Sequence, residues 1–258
     1  MVKRIKQMKI LRKISRTLLS EAKRSLFDYN TSAVIVAAGK STRTSGDIPK
    51  QFVEINGIPV IVHTAQAFDR CPQINEIIIV VADDRIDMCK DLFSAYEFSK
   101  PVKITIGGES RDISAKKGFE ATSKDAEFIA FHDGARCLIK PEDVSRVVKA
   151  AYGCGAAIAV ARSTDTLKRV DDSGNIKETL DRERIFRAQT PQVFMREIYE
   201  ISAYSPRKFG SKVTDESMLA EEKKIKVKAV EVGAYNIKIT TDEDFYFARR
   251  IIEGGDEK

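Results

Sequence analysis

Short apolar segments recur along this chain at the spacing of alternating strands and helices. Five of them are continuous and rich in β-branched or aromatic residues, and they span 33–37, 77–82, 102–106, 128–131 and 156–161. Such runs are typical of strands that are buried on both faces, as in a mostly parallel sheet. Helical patterns lie between them, at 60–69, 84–95, 111–122 and 141–152. The alternation predicts a doubly wound α/β fold.

The remaining segments predict a hairpin, a projecting arm and an α/β tail. Asn56-Gly57 is a hairpin-type turn signal. Residues 162–190 are polar and β-leaning, with a turn at 171–175, and we expect them to form an arm that projects from the sheet. Downstream, the pattern predicts helices at about 195–204, 215–223 and 242–253 and a strand near 226–232.

Length and composition favour one large α/β domain, which we place at residues 31–258. The hydrophobic fraction of 43% is enough for a substantial core, and the sequence contains no apolar run long enough to predict a membrane span. The net charge of +6 is concentrated in residues 1–24, which hold nine Lys or Arg and one acid. Because the rest is close to neutral, we expect no nucleic-acid partner for the main body.

Residues 1–30 form a basic extension in which apolar residues recur at roughly helical spacing. Three interpretations remain open for it: an appended surface helix, an organelle-targeting peptide, and a surface that contacts a membrane or a partner. The composition, richer in Lys than is typical of transit peptides, favours the appended helix.

The cysteines and histidines restrict both compartment and chemistry. The four cysteines show no Cys-x-x-Cys spacing, which fits a reducing compartment and a cytoplasmic protein. With only two histidines, His63 and His132, we expect catalysis to use Lys, Arg, Asp and a metal ion rather than a histidine base.

A loop of small residues follows the first predicted strand. Ala37-Ala38-Gly39-Lys40-Ser41-Thr42-Arg43 is followed by Pro49-Lys50-Gln51, so backbone N–H groups and two cations could meet a polyphosphate. It is not a P-loop, because Val34 occupies the place of the first glycine. It is not a dinucleotide fingerprint either, because Ser41 and Thr44 replace two glycines. Taken alone, the loop could also be a turn whose glycine serves geometry only.

Two further motifs follow predicted strands, where ligands of open α/β sheets bind. In 132–136, Asp133 suits Mg²⁺ or a ribose hydroxyl and Arg136 suits a phosphate. In 107–111, two glycines would let the backbone approach a flat base, with Ser114 in the next turn. The alternatives are a helix-capping aspartate beside a surface arginine for the first, and a capped turn for the second.

The arm and the tail carry the remaining polar candidates. Thr166 and Arg182 lie in the arm, which could equally be a solvated hairpin. Asp215 precedes a predicted helix, where an N-cap role is the main alternative, and Lys238 is available to an anion. Together the cations Arg43, Lys50, Arg136, Arg182 and Lys238, with Asp133, are suited to phosphoryl or nucleotidyl transfer.

These motifs occur in an order that resembles a known family. The segments are AAGKSTR…PKQF, GGESRDIS, HDGAR, STDTLK, TLDRERIFRAQTPQVF, VTDES and NIKITTDED. From about residue 32 to 253 they resemble the 2-C-methyl-D-erythritol 4-phosphate cytidylyltransferases, nucleotidyltransferases of non-mevalonate isoprenoid biosynthesis. The resemblance implies a nucleotide-diphospho-sugar transferase-like fold, a Mg²⁺ cofactor, and a homodimer built through the arm. It also implies transfer of CMP from CTP to a small polyol phosphate.

The resemblance also assigns roles residue by residue. Arg43 and Lys50 would be catalytic, and Asp133 would be the metal ligand. The implied substrate contacts are Thr166, Arg182, Thr190, Asp215 and Lys238. The implied nucleotide contacts are Ala37, Ala38, Gly39, Lys40, Ser41, Gly108, Glu109, Ser114, Asp133, Gly134 and Arg136.

Three positions depart from the family pattern. Ser41 replaces a frequent glycine, Cys137 a usual proline, and Tyr235 a frequent acidic residue. The nearest alternative function is ribitol-5-phosphate cytidylyltransferase, and a more remote one is a non-catalytic nucleotide-binding or scaffold protein. An NAD-dependent oxidoreductase is disfavoured because the glycine fingerprint is missing.

Overall fold

The computed structural model describes residues 29–39, 49–206 and 213–254. Lys40, Ser41, Arg43 and residues 1–28 of the predicted extension lie outside the described residues.

Strands and helices alternate through the described part of the chain. The strands are β1 Thr31–Val36, β2 Glu54–Ile55, β3 Ile58–Pro59, β4 Glu76–Val81, β5 Val102–Ile106, β6 Phe128–Asp133, β7 Ala156–Arg162, β8 Lys168–Val170, β9 Ile176–Thr179, β10 Phe186–Met195 and β11 Lys228–Glu231. The helices are α1 Val60–Asp69, α2 Ile86–Ser94, α3 Arg111–Glu120, α4 Pro141–Cys154, α5 Arg196–Tyr204, α6 Glu216–Glu222 and α7 Asp242–Glu253.

A seven-stranded sheet in the order β11-β7-β10-β6-β1-β4-β5 organises the molecule. The pairs β1–β4, β1–β6, β4–β5 and β7–β11 are parallel. Every residue of β4 and β6 is buried, as expected of central strands covered on both faces. The predicted doubly wound, mostly parallel α/β fold is therefore confirmed.

One central strand was not predicted. We expected the arm to extend to residue 190, but residues 186–190 belong to β10, which runs antiparallel between β6 and β7. Its pairing register shifts between Ala188 and Gln192, around the cis peptide bond of Thr190-Pro191. The polar run Gln189-Thr190-Pro191-Gln192 does not resemble a buried strand, because proline and polar side chains are rare in strand interiors. The shift in pairing register between Ala188 and Gln192 accommodates both the proline and the polar side chains.

The turn at Asn56-Gly57 forms as predicted. β2 and β3 pair on either side of it, and both turn residues have positive φ, 52° for Asn56 and 71° for Gly57. A two-residue hairpin turn of this hand favours asparagine and glycine because they tolerate that conformation. The hairpin leads the chain from the short helical turn Lys50–Phe52 into α1.

The main core lies between the sheet and its helices, and a smaller cluster lies beside the tail. Close contact of α3 with the sheet depends on Gly118, where an added Cβ would lie 2.3 Å from Val34 Cγ1 and 2.7 Å from Val80 Cγ2. Cys137 is buried in the smaller cluster, with Leu138 and Ile239. An apolar side chain there therefore fills the place where proline is usual.

Residues 163–185 project as a two-stranded hairpin of β8 and β9, most of it exposed. Val170 and Ile176 carry large apolar side chains that are 53% and 65% exposed. Within the described part of the chain, no helix is long and apolar enough to cross a bilayer.

Candidate active site

The loops that follow the parallel strands meet at one edge of the sheet. The chain adds β4 and β5 on one side of β1 and later adds β6 on the other, so the strand order reverses between β1 and β6. At such a reversal the two following loops separate and leave a crevice for ligands. Gly134 N donates to Val36 O at 2.9 Å, which holds the loops after β1 and β6 together.

Small residues allow these loops to pack against one another with little side chain between them. An added Cβ on Gly134 would lie 3.0 Å from Ala37 Cβ, and one on Gly107 would lie 2.5 Å from Ala38 Cβ. The Gln51 amide fixes the first loop, since its Nε2 donates to Ala37 O at 2.8 Å and to Gly39 O at 3.4 Å. Because Gln51 adjoins Lys50, the backbone of that predicted catalytic lysine lies beside the loop.

The loop after β5 is shaped by Ser114. Gly108 N donates to Ser114 Oγ at 3.0 Å, and the same hydroxyl donates to Ser110 O at 2.9 Å. Ser110 also caps α3 through the backbone N–H of Ile113. Glu109 is exposed in this turn. The capped-turn interpretation is thus correct in geometry, and it places Gly107 beside Ala38 in the loop after β1.

Asp133, at the end of β6, lies within ion-pair distance of three cations. Arg111 Nε donates to Oδ1 at 3.2 Å, while Arg136 Nε at 3.2 Å and Lys238 Nζ at 3.1 Å lie on Oδ2. Burial alone would raise the pKa of the Asp133 carboxyl, but Arg111, Lys238 and Arg136 hold that pKa well below its usual range. The carboxylate is therefore ionised at any pH at which the protein works.

His132 and Thr190 form a buried chain of hydrogen bonds beneath Asp133. His132 Nε2 lies 3.2 Å from Arg136 O, which can only accept, so Nε2 carries the hydrogen and Nδ1 accepts from the Thr190 hydroxyl at 2.9 Å. Asp133 N donates to the same hydroxyl at 3.0 Å. Burial lowers the pKa of His132 to about 3, so the ring stays neutral. The hydroxyl hydrogen of Thr190 is thus directed at His132.

Asp215 has a capping role and a site role together. Its Oδ1 accepts from Met218 N at 3.0 Å and so caps α6, as the N-cap interpretation predicts. Its Oδ2 accepts from Gln192 Nε2 at 3.0 Å, which ties α6 to the irregular part of β10. A cap on its own would not need the second contact.

These groups surround one cavity of about 270 Å³. Its lining includes five residues predicted from the sequence, which come from four separate segments, namely Asp133, Arg136, Thr190, Asp215 and Lys238. Arg111, Gln189, Gln192 and Thr214 complete its polar wall. A site lined by three cations and two carboxylates suits a phosphorylated, hydroxyl-bearing ligand.

Two predicted substrate residues lie elsewhere. Thr166 and Arg182 are exposed in the hairpin arm, where Arg182 Nη1 donates to Thr164 O at 3.0 Å. Neither lines the cavity. Their assignment as substrate contacts stays a prediction.

Arg111 lines the cavity and pairs with the buried Glu216, and neither was among the predicted site residues. Arg111 Nη1 donates to both oxygens of Glu216, at 2.7 and 2.9 Å, while its Nε contacts Asp133. Arg111 did occur in the Gly-Gly-Glu-Ser-Arg motif, and Glu216 directly follows a predicted N-cap. What the sequence could not show is that residues 105 positions apart form a pair.

Tyr235 does not substitute for the acidic residue that is frequent at this position in the family. Its hydroxyl donates to Asp143 Oδ2 on α4, and Lys140 Nζ lies 5.0 Å from its ring centroid. The neighbouring Asn236 holds β10 instead, with Nδ2 donating to Gln189 Oε1 at 3.0 Å and Thr190 O at 2.9 Å. The described residues contain no group of three His, Cys, Asp or Glu side chains placed to hold a metal ion by themselves.

Comparison with known proteins covers most of the chain. The family model for 2-C-methyl-D-erythritol 4-phosphate cytidylyltransferase matches residues 31–254. Among solved structures, the 4-diphosphocytidyl-2C-methyl-D-erythritol synthase of Anaerococcus prevotii is similar, with a TM-score of 0.77 and 31% identity. That match covers 88% of this chain and 98% of that one.

Relatives of similar length carry the same name. The 2-C-methyl-D-erythritol 4-phosphate cytidylyltransferase of Dehalococcoides mccartyi strain CBDB1 is 40% identical over 223 residues, covering 86% of this chain and 96% of the relative. That of Caldanaerobacter subterraneus subsp. tengcongensis is also 40% identical, over 220 residues, covering 85% and 97%. The chain therefore belongs to the 2-C-methyl-D-erythritol 4-phosphate cytidylyltransferase family.

Proposed function

We propose that this protein transfers CMP from CTP to 2-C-methyl-D-erythritol 4-phosphate, giving 4-diphosphocytidyl-2-C-methyl-D-erythritol and pyrophosphate. The observation that carries the proposal is the cavity beside the small-residue loop, where Asp133, Arg136 and Lys238 converge at the strand reversal. A phosphate-rich reaction needs cations placed in advance around the reacting centre, because positioning and charge stabilisation supply most of the catalysis.

The reaction requires no general base. A phosphate oxygen of the polyol substrate, already an anion, attacks the α-phosphorus of CTP, and the bond to the bridging oxygen breaks as pyrophosphate leaves. His132 is consistent with a reaction that needs no general base, since the ring is buried, neutral and hydrogen-bonded at both nitrogens. We assign it to shaping the Asp133 backbone rather than to proton transfer.

Arg43 and Lys50 would supply the positive charge that stabilises the transition state. Ala37, Ala38 and Gly39 would give backbone contacts to the triphosphate, together with Lys40 and Ser41. Gly108, Glu109 and Ser114 would surround the cytosine, and Gly134 would let the backbone approach the nucleotide closely. Arg136 and Lys238 lie on a shared carboxylate oxygen and line the cavity. Arg136 is also held by Asn236 O at 2.8 Å, so Lys238, which is 37% exposed, is the cation able to turn from Asp133 to an incoming phosphate.

Mg²⁺ is the cofactor we propose, with Asp133 as its protein ligand. Mg²⁺ usually binds one or two carboxylates together with substrate phosphates and water. Asp133 offers one ionised carboxylate, so the triphosphate would supply much of the remaining coordination. When bound, the ion would offset negative charge on the phosphates.

The test is a substrate comparison with the purified full chain. With Mg²⁺ and CTP, we expect pyrophosphate release with methylerythritol phosphate, little with ribitol 5-phosphate, and none after chelation of the metal. Preference for ribitol 5-phosphate would replace the proposed substrate. Failure with both, together with no heat of CTP binding in a calorimetric titration with Mg²⁺, would favour the scaffold interpretation.

We also propose a homodimer in which the arm reaches the partner's site. The proposal is supported by the exposed apolar residues Val170 and Ile176 on the hairpin, and by the fact that Thr166 and Arg182 do not line the cavity of their own chain. Sedimentation should give twice the mass of 28.9 kDa for the chain and a lower mass for Ile176→Asp. A wild-type chain that sediments as a monomer at assay concentrations would contradict the dimer.

A cytoplasmic location is the compartment we propose. Cys71, Cys89, Cys137 and Cys154 are all free thiols, which suits a reducing environment. Recovery of the protein in any fraction other than the cytosolic one after cell fractionation would contradict this location.

A further inference from the structure

A buried ion pair between α3 and α6 has no part in the function proposed so far. Glu216 is 1% exposed and accepts both hydrogen bonds from Arg111, whose side chain is 26% exposed. Burying two charges is unfavourable unless the geometry is good, and an apolar pair of similar volume often serves stability equally well. A buried ion pair of this kind is therefore weak evidence for a purely stabilising role.

Arg111 connects two carboxylates that belong to different parts of the site. Its Nη1 contacts Glu216 in the first turn of α6, and its Nε contacts Asp133 at the end of β6. Arg111 itself begins α3, directly after the loop proposed to surround cytosine. Glu216 directly follows Asp215, which lines the cavity. One guanidinium thus links the cytosine loop, Asp133 and the wall proposed to meet the polyol phosphate.

The charge of its second partner distinguishes Arg111 from the other two cations on Asp133. Arg136 Nη1 donates to the backbone carbonyl of Asn236 at 2.8 Å, whereas Lys238 is 37% exposed and lines the cavity, so an incoming phosphate can draw Lys238 away. Arg111 lies on Oδ1 and is held there by the Glu216 carboxylate, both of whose oxygens accept from Nη1. When phosphates bind, Arg111 would stay and Lys238 would move. Glu216 therefore determines how strongly Arg111 competes for Asp133.

We propose that Glu216 is a positioning residue that, through Arg111, sets the orientation of Asp133 and its availability to a metal–nucleotide complex. The inference rests on the proposed function. Without the Glu216 charge, the guanidinium would turn its full charge on Asp133 and make that carboxylate a poorer ligand. The connection between the cytosine loop and the start of α6 would loosen at the same time.

The test compares Glu216→Gln with Glu221→Gln, an exposed glutamate on the same helix. Partners behind a metal ligand typically change metal affinity or activity by 10–100-fold, so we expect about a tenfold loss of kcat in Glu216→Gln. The half-saturating Mg²⁺ concentration should rise several-fold. By calorimetry, CTP binding should weaken when Mg²⁺ is present and change little when the metal is chelated. Glu221→Gln should match wild type throughout.

A second variant keeps the test decisive if the single variant is unstable. Arg111→Gln combined with Glu216→Gln leaves neither charge buried alone, and because the competing guanidinium is gone its half-saturating Mg²⁺ concentration should return toward the wild-type value. A folded Glu216→Gln with wild-type kcat and wild-type Mg²⁺ dependence would overturn the inference. An inactive wild-type chain would instead overturn the proposed function, and the calorimetric comparison would still report on Glu216.

Discussion

Replacing Lys50 with methionine is expected to lower kcat by about 10²–10³-fold and to leave the fold unchanged. In the proposed reaction, negative charge grows on the oxygens around the five-coordinate phosphorus, and a cation fixed beside them lowers the barrier. Lys50 begins the short helical turn Lys50–Phe52, whose next residue, Gln51, is hydrogen-bonded to the loop after β1. The backbone that carries the lysine is thereby fixed relative to the phosphate loop.

The measurement is kcat at saturating CTP, with thermal unfolding recorded in parallel. Lys90→Met is the matched control, because Lys90 is an exposed lysine on α2 whose partner is Asp87. It should retain wild-type kcat. A Lys50→Met enzyme that keeps more than about a tenth of wild-type kcat would rule out the assigned role. A loss confined to KM would reassign Lys50 to ground-state binding.

The sequence predicted the fold well where burial leaves a strong pattern. β4 is a continuous run of isoleucine and valine, and α1 coincides with the predicted 60–69 segment. β10 shows the limit. Its buried half contains Gln189, Thr190 and Gln192, and these polar side chains are hidden because Asn236, His132 and Ser217 satisfy them. A polar strand of this kind is recognisable only when its partners are known.

Several residues predicted from the sequence line one cavity, whereas the contacts between the residues around it were not predictable. Asp133 and Lys238 were predicted from strand ends and from the family resemblance, and Lys238 Nζ lies 3.1 Å from Asp133 Oδ2. The pairing of Arg111 with Glu216 depends on two helices that begin beside one strand end, and no local pattern encodes that. Asp215 shows why single-role interpretations fall short, since one carboxylate caps a helix and anchors β10.

His132 is expected to make the protein lose stability as the pH falls from about 6.5 toward 3. In the folded chain, burial lowers the pKa of the imidazole to about 3 from 6.5. Between these values the unfolded chain binds a proton that the folded chain does not, so the free energy of unfolding falls with falling pH. The ring contributes fully above pH 6.5, and the loss across the window is at most roughly 4–5 kcal/mol.

Chemical denaturation at a series of pH values, comparing His132→Gln with His63→Gln, isolates this contribution. His63, the chain's other histidine, is half-buried and contacts Ile55 O at 2.9 Å. His132→Gln should be less stable than wild type at pH 8, because the amide cannot reproduce the packing of the ring on Phe68 together with its contacts to Thr190 and Arg136 O. Its stability should then change much less between pH 6.5 and 4.5, whereas His63→Gln should keep the wild-type slope. The carboxylates remain in both variants, so the difference between the two slopes reports the ring. Equal slopes would mean that His132 takes up its proton in the folded protein. The assignment of a neutral ring that accepts from Thr190 and donates to Arg136 O would then be wrong.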